Sequence, residues 1–455
     1  MIDYDLLIIG AGSGNMLPYD LGGMRVAIVE RDRFGGTCLN RGCIPSKMLV
    51  YAADVAQTVR DASRYGIDAQ MVGADWPAIR DRVFRRTDES SDAGHAWRRH
   101  SGVDVYTGNA RFVERKVVEV AGEQLRADRI ILAAGSRPTV PDIDGLAAVP
   151  FHTTDTIMRI DARPASMIVL GGGYVAAEMS HIFGAFGTEI TIIERAAKLL
   201  DSLDDDVAAA FTRHAADRFD VRLSAEVTRV EQTAHGVAVH IDAGPRSGVV
   251  EADTLLVAIG RTPNSDILDV AAGGIATDDH GLVVTDDTYA ANVPGVWAIG
   301  DMTNRVQLKH LANAQMRIVV HNVFHPDAEP QRAHFPVLPS AVFADPQVAT
   351  AGPTEQALRD QGRAFDVSRR EYSNTAFGWA AEDTTSFVKL ISDPETRLLL
   401  AAHIVGPQAV ALLQPLVQAI YLGNTVDELA HDILYIHPAA TEVVAQALLA
   451  LPPRT

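Results

Sequence analysis

Short apolar runs that end at glycine turns recur through the N-terminal two thirds of the chain. Residues 4–9 lead into a turn at 10–14, residues 167–170 into one at 171–173, and residues 296–299 into Gly300. Such runs predict buried strands followed by tight turns. The first two predict separate strand–helix–strand units of the doubly wound type that binds dinucleotides.

Each unit carries an acidic residue at the end of its second predicted strand, where a carboxylate can bind a ribose diol. Glu30 stands 20 positions after Gly10, and Glu194 stands 23 positions after Gly171. The first crossover is therefore three residues shorter. Asn15 also replaces the third glycine of its motif, and Pro18 falls within the expected helix. Because proline is tolerated only in the first turn of a helix, we expect this crossover helix to be short or distorted near its start.

The C-terminal pattern is different and contains no nucleotide motif. Strand-like runs at 341–343, 387–391 and 398–405 precede two helical patterns at 409–422 and 441–449. We predict an α/β protein with two doubly wound dinucleotide-binding (Rossmann-like) domains and a C-terminal α+β dimerisation domain that completes the substrate site. Two such units in one chain predict two bound dinucleotides, a flavin and a nicotinamide nucleotide. The predicted segments are 1–148 for the FAD-binding domain, 149–262 for the NAD(P)H-binding domain, 263–335 for a returning part of the FAD-binding domain, and 336–455 for the interface domain.

Composition narrows the function. The net charge of −18 disfavours nucleic acid as a partner, and the absence of a long uninterrupted apolar run predicts no membrane span and a cytoplasmic location. Cys38 and Cys43 are the only cysteines, too few for a disulfide scaffold or a four-cysteine zinc site. We predict a redox pair and no metal site, the alternative being two buried structural thiols.

The cysteines lie in the most specific segment, residues 38–47. Pro45 suits the first turn of a helix, so Cys43 would lie at a helix N-terminus, where the dipole favours a thiolate. Lys47 follows within one turn. The apolar positions predicted to face the core are Met48, Ala52, Val55 and Val59.

Two weaker signals occur later in the chain. His437 and Glu442 can form a carboxylate-oriented imidazole suited to acid–base chemistry, although most histidines have no such role. Asp301 can lie beside a bound flavin or belong to a simple turn. The segments 131–138 and 255–263 resemble each other, as expected where a chain crosses between domains.

Taken together, residues 35–47, both glycine motifs, Gly300-Asp301 and His437-Pro438 with Glu442 resemble the flavoprotein disulfide reductases, which include glutathione reductase, lipoamide dehydrogenase and mercuric reductase. The resemblance covers essentially the whole chain. It implies FAD, NADH or NADPH, a small-molecule disulfide substrate and a homodimer with an active site shared between subunits. Residues 12–15, 63–68, 308–310, 377–380 and 436–438 most resemble the branch that reduces mycothione, the disulfide of mycothiol.

The resemblance also implies residue roles. Cys43 would be the charge-transfer thiolate and Cys38 the interchange thiol, with Lys47 and Glu178 near the flavin and His437, oriented by Glu442, serving the other subunit. The residues implied for FAD are Gly10, Gly12, Gly14, Glu30, Thr37, Lys47, Ala110, Gly135 and Asp301. Those implied for the nicotinamide nucleotide are Gly171, Gly173, Ala176, Glu194, Arg195 and Gly260.

Several alternatives stay open at this point. Glu194 favours NADH by charge repulsion, while Arg195 and Lys198 leave NADPH possible. The shortened crossover could make room for a bulkier, uncharged disulfide or could only change packing beneath the flavin. A lipoamide dehydrogenase is the nearest alternative enzyme, and a flavin-binding signalling protein without turnover is the alternative from another class.

Overall fold

A computed structural model describes residues 1–453. Its N-terminal part contains seven strands and three helices. They are β1 (Ile2–Ile9), β2 (Val26–Glu30), α1 (Gly36–Arg41), α2 (Cys43–Asp61), α3 (Trp76–His100), β3 (Asp104–Thr107), β4 (Arg111–Glu114), β5 (Val117–Val120), β6 (Glu123–Leu132) and β7 (Ser136–Pro138).

The next part repeats the strand–helix–strand theme. Its elements are β8 (Ser166–Leu170), α4 (Tyr174–Ala185), β9 (Glu189–Ile193), α5 (Asp205–Arg218), β10 (Asp220–Arg222), β11 (Glu226–Gln232), β12 (Val237–Asp242), β13 (Gly248–Ala252), β14 (Thr254–Val257) and β15 (Arg261–Pro263). The chain then returns to the first part through β16 (Val296–Ala298) and α6 (Lys309–Phe324).

Two sheets organise these parts, the first mixed and the second parallel. The first has the order β3-β2-β1-β6-β5-β4, and β16 pairs with β6 in parallel. The second has the order β10-β9-β8-β14. Leu6, Leu7 and Ile8 in β1 are fully buried, as expected for a parallel strand covered on both faces. The two similar segments noted in the sequence pair with each other, because β7 and β15 form a two-stranded antiparallel link between the sheets.

The C-terminal part is an antiparallel sheet covered by helices. Its order is β17-β18-β21-β20-β19. The elements are β17 (Ser340–Val342), β18 (Val348–Ala351), α7 (Glu355–Asp360), β19 (Asp366–Glu371), α8 (Ala376–Ala380), β20 (Phe387–Ser392), β21 (Leu399–Val405), α9 (Ala409–Leu422), α10 (Val426–His431) and α11 (Thr441–Leu449). The predicted α/β and α+β fold classes are confirmed, and the segment boundaries stay predictions. Among residues 1–453, no helix is both long and apolar enough to cross a membrane.

The first crossover departs further from an ordinary helix than expected. Between β1 and β2 the chain forms only one 3₁₀ turn, Ser13–Asn15, and Pro18 follows it in a non-helical segment. The expectation of a short or distorted α-helix is therefore wrong, because no α-helix forms between β1 and β2. By contrast, the second unit builds the 12-residue α4 immediately after Gly173.

The predicted stripe of α2 is confirmed only in part, because Met48 and Ala52 pack against the core but are not fully buried. Leu49, Val50, Ala53 and Ala56 are buried, whereas Val55 is 55% exposed. The buried face packs in one core cluster with residues of α3 and α4, and its small alanines allow the helices to approach closely.

Candidate active site

The two cysteines lie on either side of a sharp bend between α1 and α2. Cys38 belongs to α1, Gly42 connects the helices, and Cys43 is the first residue of α2. A Cβ on Gly42 would lie 3.0 Å from the carbonyl oxygen of Thr37, so the bend requires a very small residue. Both thiols are free and hydrogen-bond to each other. The geometry therefore brings together a dithiol at the N-terminus of a long helix.

The pKa values of the two thiols are shifted in opposite directions. The hydrogen bond with Cys38, and then the charges of Lys47 and Lys309, lower the pKa of Cys43 to about 7, although burial opposes them. The same hydrogen bond, together with burial, raises the pKa of Cys38 well above its usual range. When the pair loses its first proton, the thiolate therefore forms on Cys43 and the remaining proton stays on Cys38.

An ion pair links the cysteine helix to the second nucleotide unit. Lys47 Nζ lies 2.6 Å from both carboxylate oxygens of Glu178, which is buried in α4. The backbone N–H of Phe343 donates to Glu178 Oε1 at 3.2 Å, and Lys47 Nζ lies 4.6 Å from the centroid of the Phe343 ring. Lys47 is thus held beside the dithiol by residues from two other parts of the chain.

A second lysine, which the sequence pattern did not single out as a site residue, approaches the dithiol from α6. Lys309 is the first residue of that helix, and its Nζ donates to Ser13 Oγ at 3.1 Å. Burial lowers the pKa of Lys309, and its charge acts on both thiols. In the sequence it belongs only to segment 308–310 of the resemblance, because a lone lysine at a helix start carries no periodic signal.

The first glycine of each motif makes a close backbone approach. Gly10 has a φ of +105°, and a Cβ there would lie 2.3 Å from the carbonyl oxygen of Ala133. Gly171 has a φ of +108°, and its Cβ would lie 2.5 Å from the carbonyl oxygen of Ala258. In both units the turn presses against the end of the neighbouring strand, which leaves backbone N–H groups free to approach a diphosphate.

The two acidic residues lie against the glycine turns of their own units. Glu30 Oε2 accepts the N–H of Ala11 at 2.9 Å, and burial raises the pKa of Glu30. Glu194 Oε1 accepts the N–H of Ala196 at 2.7 Å, and its Oε2 lies 2.9 Å from the place of a Cβ on Gly172. These positions suit carboxylates that bind ribose hydroxyls of two different dinucleotides.

The other predicted cofactor residues are distributed around these turns. Asp301 Oδ2 accepts a hydrogen bond from Ser136 Oγ at 2.5 Å, and Ser136 Oγ accepts one from Arg261 at 2.8 Å. This network argues against Asp301 as part of a simple turn only. In the first unit, Gly12 and Gly14 lie in the glycine turn, Thr37 is exposed in α1, and Ala110 is buried. In the second unit, Gly173 precedes α4, Ala176 is buried in α4, and Arg195 is exposed. Gly135 and Gly260 directly precede the linking strands β7 and β15.

His437 and Glu442 form the expected pair but do not meet the cysteines. His437 Nδ1 lies 2.5 Å from Glu442 Oε1, and 72% of the His437 side chain is exposed. Within residues 1–453 no hydrogen bond or ion pair connects His437 to the dithiol. The neighbouring Leu434 and Ile436 are 98% and 76% exposed, so this end of the C-terminal part presents apolar side chains on its surface.

Comparisons with known proteins agree with this geometry. Residues 4–317 match the family model of the pyridine nucleotide-disulphide oxidoreductases, and residues 338–448 match the dimerisation domain of the same group. The chain belongs to the pyridine nucleotide-disulphide oxidoreductase family. A mycothione reductase of Mycobacterium tuberculosis (strain CDC 1551 / Oshkosh) is 42% identical, with 99% of this chain and 100% of that protein covered.

Two further relatives are more distant. A dihydrolipoyl dehydrogenase of Haloferax volcanii is 30% identical over 97% of this chain and 95% of its own. The solved structure of the HOCl-induced flavoprotein disulfide reductase RclA from Escherichia coli has a TM-score of 0.86 at 26% identity, covering 98% of this chain and all of that one. The chain is therefore a flavoprotein disulfide reductase, and the alternative of a signalling protein without turnover is set aside.

FAD and a nicotinamide nucleotide are the cofactors of this family, and the residues present fit both. The close approach of Gly36 to Gly12, where a Cβ on Gly36 would lie 2.7 Å from the Gly12 Cα, builds a backbone cradle above Glu30 that a side chain would fill. Gly171 and Glu194 repeat the combination of a glycine turn and an acidic residue in the second unit. Residues 1–453 thus contain two glycine turns, each with an acidic residue against it.

We predict that Lys309→Met raises the first thiol pKa of the reduced protein from about 7 towards the ordinary thiol value of about 8.5. The reason is that the variant removes a positive charge that favours the Cys43 thiolate. The ultraviolet absorbance of thiolate across a pH titration measures the change. Lys198→Met is the matched control, because Lys198 instead pairs with Asp205. An unchanged first step in Lys309→Met would show that this charge does not reach Cys43.

Proposed function

We propose that this reductase converts mycothione to two molecules of mycothiol at the expense of NADH or NADPH. The observation that carries the proposal is the 42% identity to a mycothione reductase over the full length of both proteins, against 30% to the dihydrolipoyl dehydrogenase. The shortened crossover does not carry it, because Asn15 is held by the buried Arg98 and favours the packing alternative. A cytosolic location stays a prediction from the sequence.

The dithiol can reduce a disulfide in two exchange steps. The Cys38 thiolate attacks one substrate sulfur, which breaks the substrate S–S bond, forms a mixed disulfide with Cys38 and releases the first thiolate. The Cys43 thiolate then attacks the Cys38 sulfur, which forms the Cys38–Cys43 disulfide and releases the second. Two electrons pass from the dithiol to the substrate, and FAD, when bound, carries two electrons from the nicotinamide nucleotide to restore the dithiol.

Proton transfer requires a base that the cysteine bend itself lacks. Cys38 retains its proton near neutral pH, because the pKa of its thiol is raised, so it must lose that proton before it attacks. An imidazole oriented by a carboxylate can accept that proton and donate one to the first leaving thiolate. His437 with Glu442 has this arrangement, and we assign it that role.

We further propose a homodimer in which His437 of one subunit serves the dithiol of the other. The match of residues 338–448 to a dimerisation domain supports the dimer. The exposure of His437 and of Leu434 and Ile436 beside it supports an interface at this end. A shared site explains why an acid–base pair lies on the surface, apart from the dithiol of its own chain.

A substrate panel tests the assignment. We expect kcat/KM for mycothione to exceed that for glutathione disulfide by more than about tenfold, with dihydrolipoamide a poor substrate in the reverse direction, because a hydroxyl-rich disulfide is recognised through hydrogen bonds rather than a charge clamp. Equal kcat/KM for glutathione disulfide or lipoamide would end the mycothione assignment and leave the dithiol mechanism intact.

Substitution of either cysteine tests the dithiol mechanism itself. Cys38→Ser and Cys43→Ser should abolish turnover with every disulfide and retain FAD.

Hybrid dimers test the shared site. Cys38→Ser and His437→Ala homodimers should each be inactive or severely impaired, because each site lacks one partner. Re-assorted dimers should recover part of the activity, since one of their two sites contains both Cys38 and His437. The measurement is disulfide-dependent oxidation of the nicotinamide nucleotide before and after subunit exchange. A mixture that shows exchange by mass yet gains no activity contradicts a site shared between subunits.

The nicotinamide preference follows from the charges around Glu194. Lys198 pairs with Asp205 and Arg195 is exposed, so neither directly neutralises Glu194. We expect NADH to be used at least comparably to NADPH, and Glu194→Arg to shift the ratio of kcat/KM towards NADPH by about tenfold or more. Steady-state kinetics with both nucleotides measures this. A strong NADPH preference in the unaltered enzyme would mean that Arg195 or Lys198 outweighs the carboxylate.

A further inference from the structure

Arg98 is a buried cation without an anionic partner. It lies in the last turn of α3 and is only 4% exposed. Its Nε donates to Asn15 Oδ1 at 2.5 Å, and its Nη2 donates to the carbonyl oxygen of Asn15. Within residues 1–453 Arg98 forms no ion pair. Because an unpaired buried charge is costly, such a group is retained where an anion can compensate it.

The position of Arg98 relates it to the glycine turn of the first unit. Asn15 ends the 3₁₀ turn that directly follows Gly12 and Gly14, so the guanidinium lies behind that turn. In the second unit the same place after the glycines is occupied by α4. A helix N-terminus there contributes about half a positive charge and several free N–H groups towards a bound phosphate. Between β1 and β2 the first unit has only the 3₁₀ turn, so no α-helix N-terminus follows its glycines.

We propose that Arg98 replaces the missing crossover helix by supplying the positive charge behind residues 10–14 that stabilises the diphosphate of FAD. It acts as a positioning residue, because its charge reaches the diphosphate through the low-dielectric interior, and it is not a catalytic residue. The proposal rests on the FAD dependence of the family and is independent of the disulfide that the enzyme reduces.

A purely mechanical role is the alternative, in which Arg98 only clamps Asn15 by hydrogen bonds. Substitutions can separate the effect of the positive charge from the effect of the hydrogen bonds to Asn15. Arg98→Gln keeps an N–H donor and removes the charge, whereas Arg98→Lys keeps the charge and loses the two-pronged geometry. Asn15→Gly removes the side-chain acceptor and leaves Arg98 in place. Arg99→Gln, at the exposed neighbouring position, is the matched control.

The readout is FAD affinity of the full-length protein, measured by the change in flavin fluorescence on dilution of the holoenzyme and on return of FAD to stripped protein. We expect Arg98→Gln to weaken binding at least about tenfold, or about 1.4 kcal/mol, and Arg98→Lys and Asn15→Gly to stay within about threefold of the unaltered protein. Arg99→Gln should be unchanged.

Three results would overturn the proposal. They are equal losses in Arg98→Gln and Arg98→Lys, unchanged affinity in Arg98→Gln, and a loss in Asn15→Gly as large as that in Arg98→Gln. If Arg98→Gln does not fold, Arg98→Lys and Asn15→Gly still distinguish the two roles. A purely mechanical role predicts weaker FAD binding in both variants, whereas the proposed role of the positive charge predicts that both retain FAD. Disulfide turnover does not enter the test.

Discussion

The carboxylate of Glu178 is the point at which the three parts of the molecule meet. It belongs to the helix of the second nucleotide unit, pairs with Lys47 on the cysteine helix, and accepts the backbone N–H of Phe343 from the C-terminal part. Glu178 is 4% exposed, so it needs these partners, and removing one partner of a buried ion pair typically costs about 3–5 kcal/mol. This interaction therefore ties the cysteine helix to the second nucleotide unit and to the C-terminal part.

The same interaction limits what Lys47 can do alone. Because its charge is largely balanced by Glu178, the field that it exerts on Cys43 is reduced. Lys309 has a neutral hydroxyl, that of Ser13, as its hydrogen-bond partner, so its charge remains less compensated. The thiolate of Cys43 is therefore favoured first by its hydrogen bond with Cys38 and then by the charges of Lys47 and Lys309. Of these two lysines, Lys47 also links three parts of the chain.

Local patterns predicted most of the fold. The helices Ala409–Leu422 and Thr441–Leu449 have the predicted bounds, because periodicity and flanking residues mark both ends. The position of Cys43 at the N-terminus of a helix was also predicted from a local motif. What the pattern could not show depends on partners far away in the chain. Arg98 and Asn15 are 83 positions apart, and Lys309 lies 296 positions from Ser13.

The two nucleotide units show which glycine of the motif is required by the turn and which is required by the helix that follows it. Gly10 and Gly171 make equivalent backbone approaches, so the turn requires glycine in either unit. The third glycine of such a motif serves close packing between helix and strand. In the first unit no such helix forms, and the position that must be glycine for close packing is Gly14 instead. A Cβ on Gly14 would lie 2.8 Å from side-chain atoms of Ile8 and of Ala133. Asn15 is tolerated because Gly14, one position earlier, makes the close contact with the strand, which leaves the Asn15 side chain available to the guanidinium of Arg98.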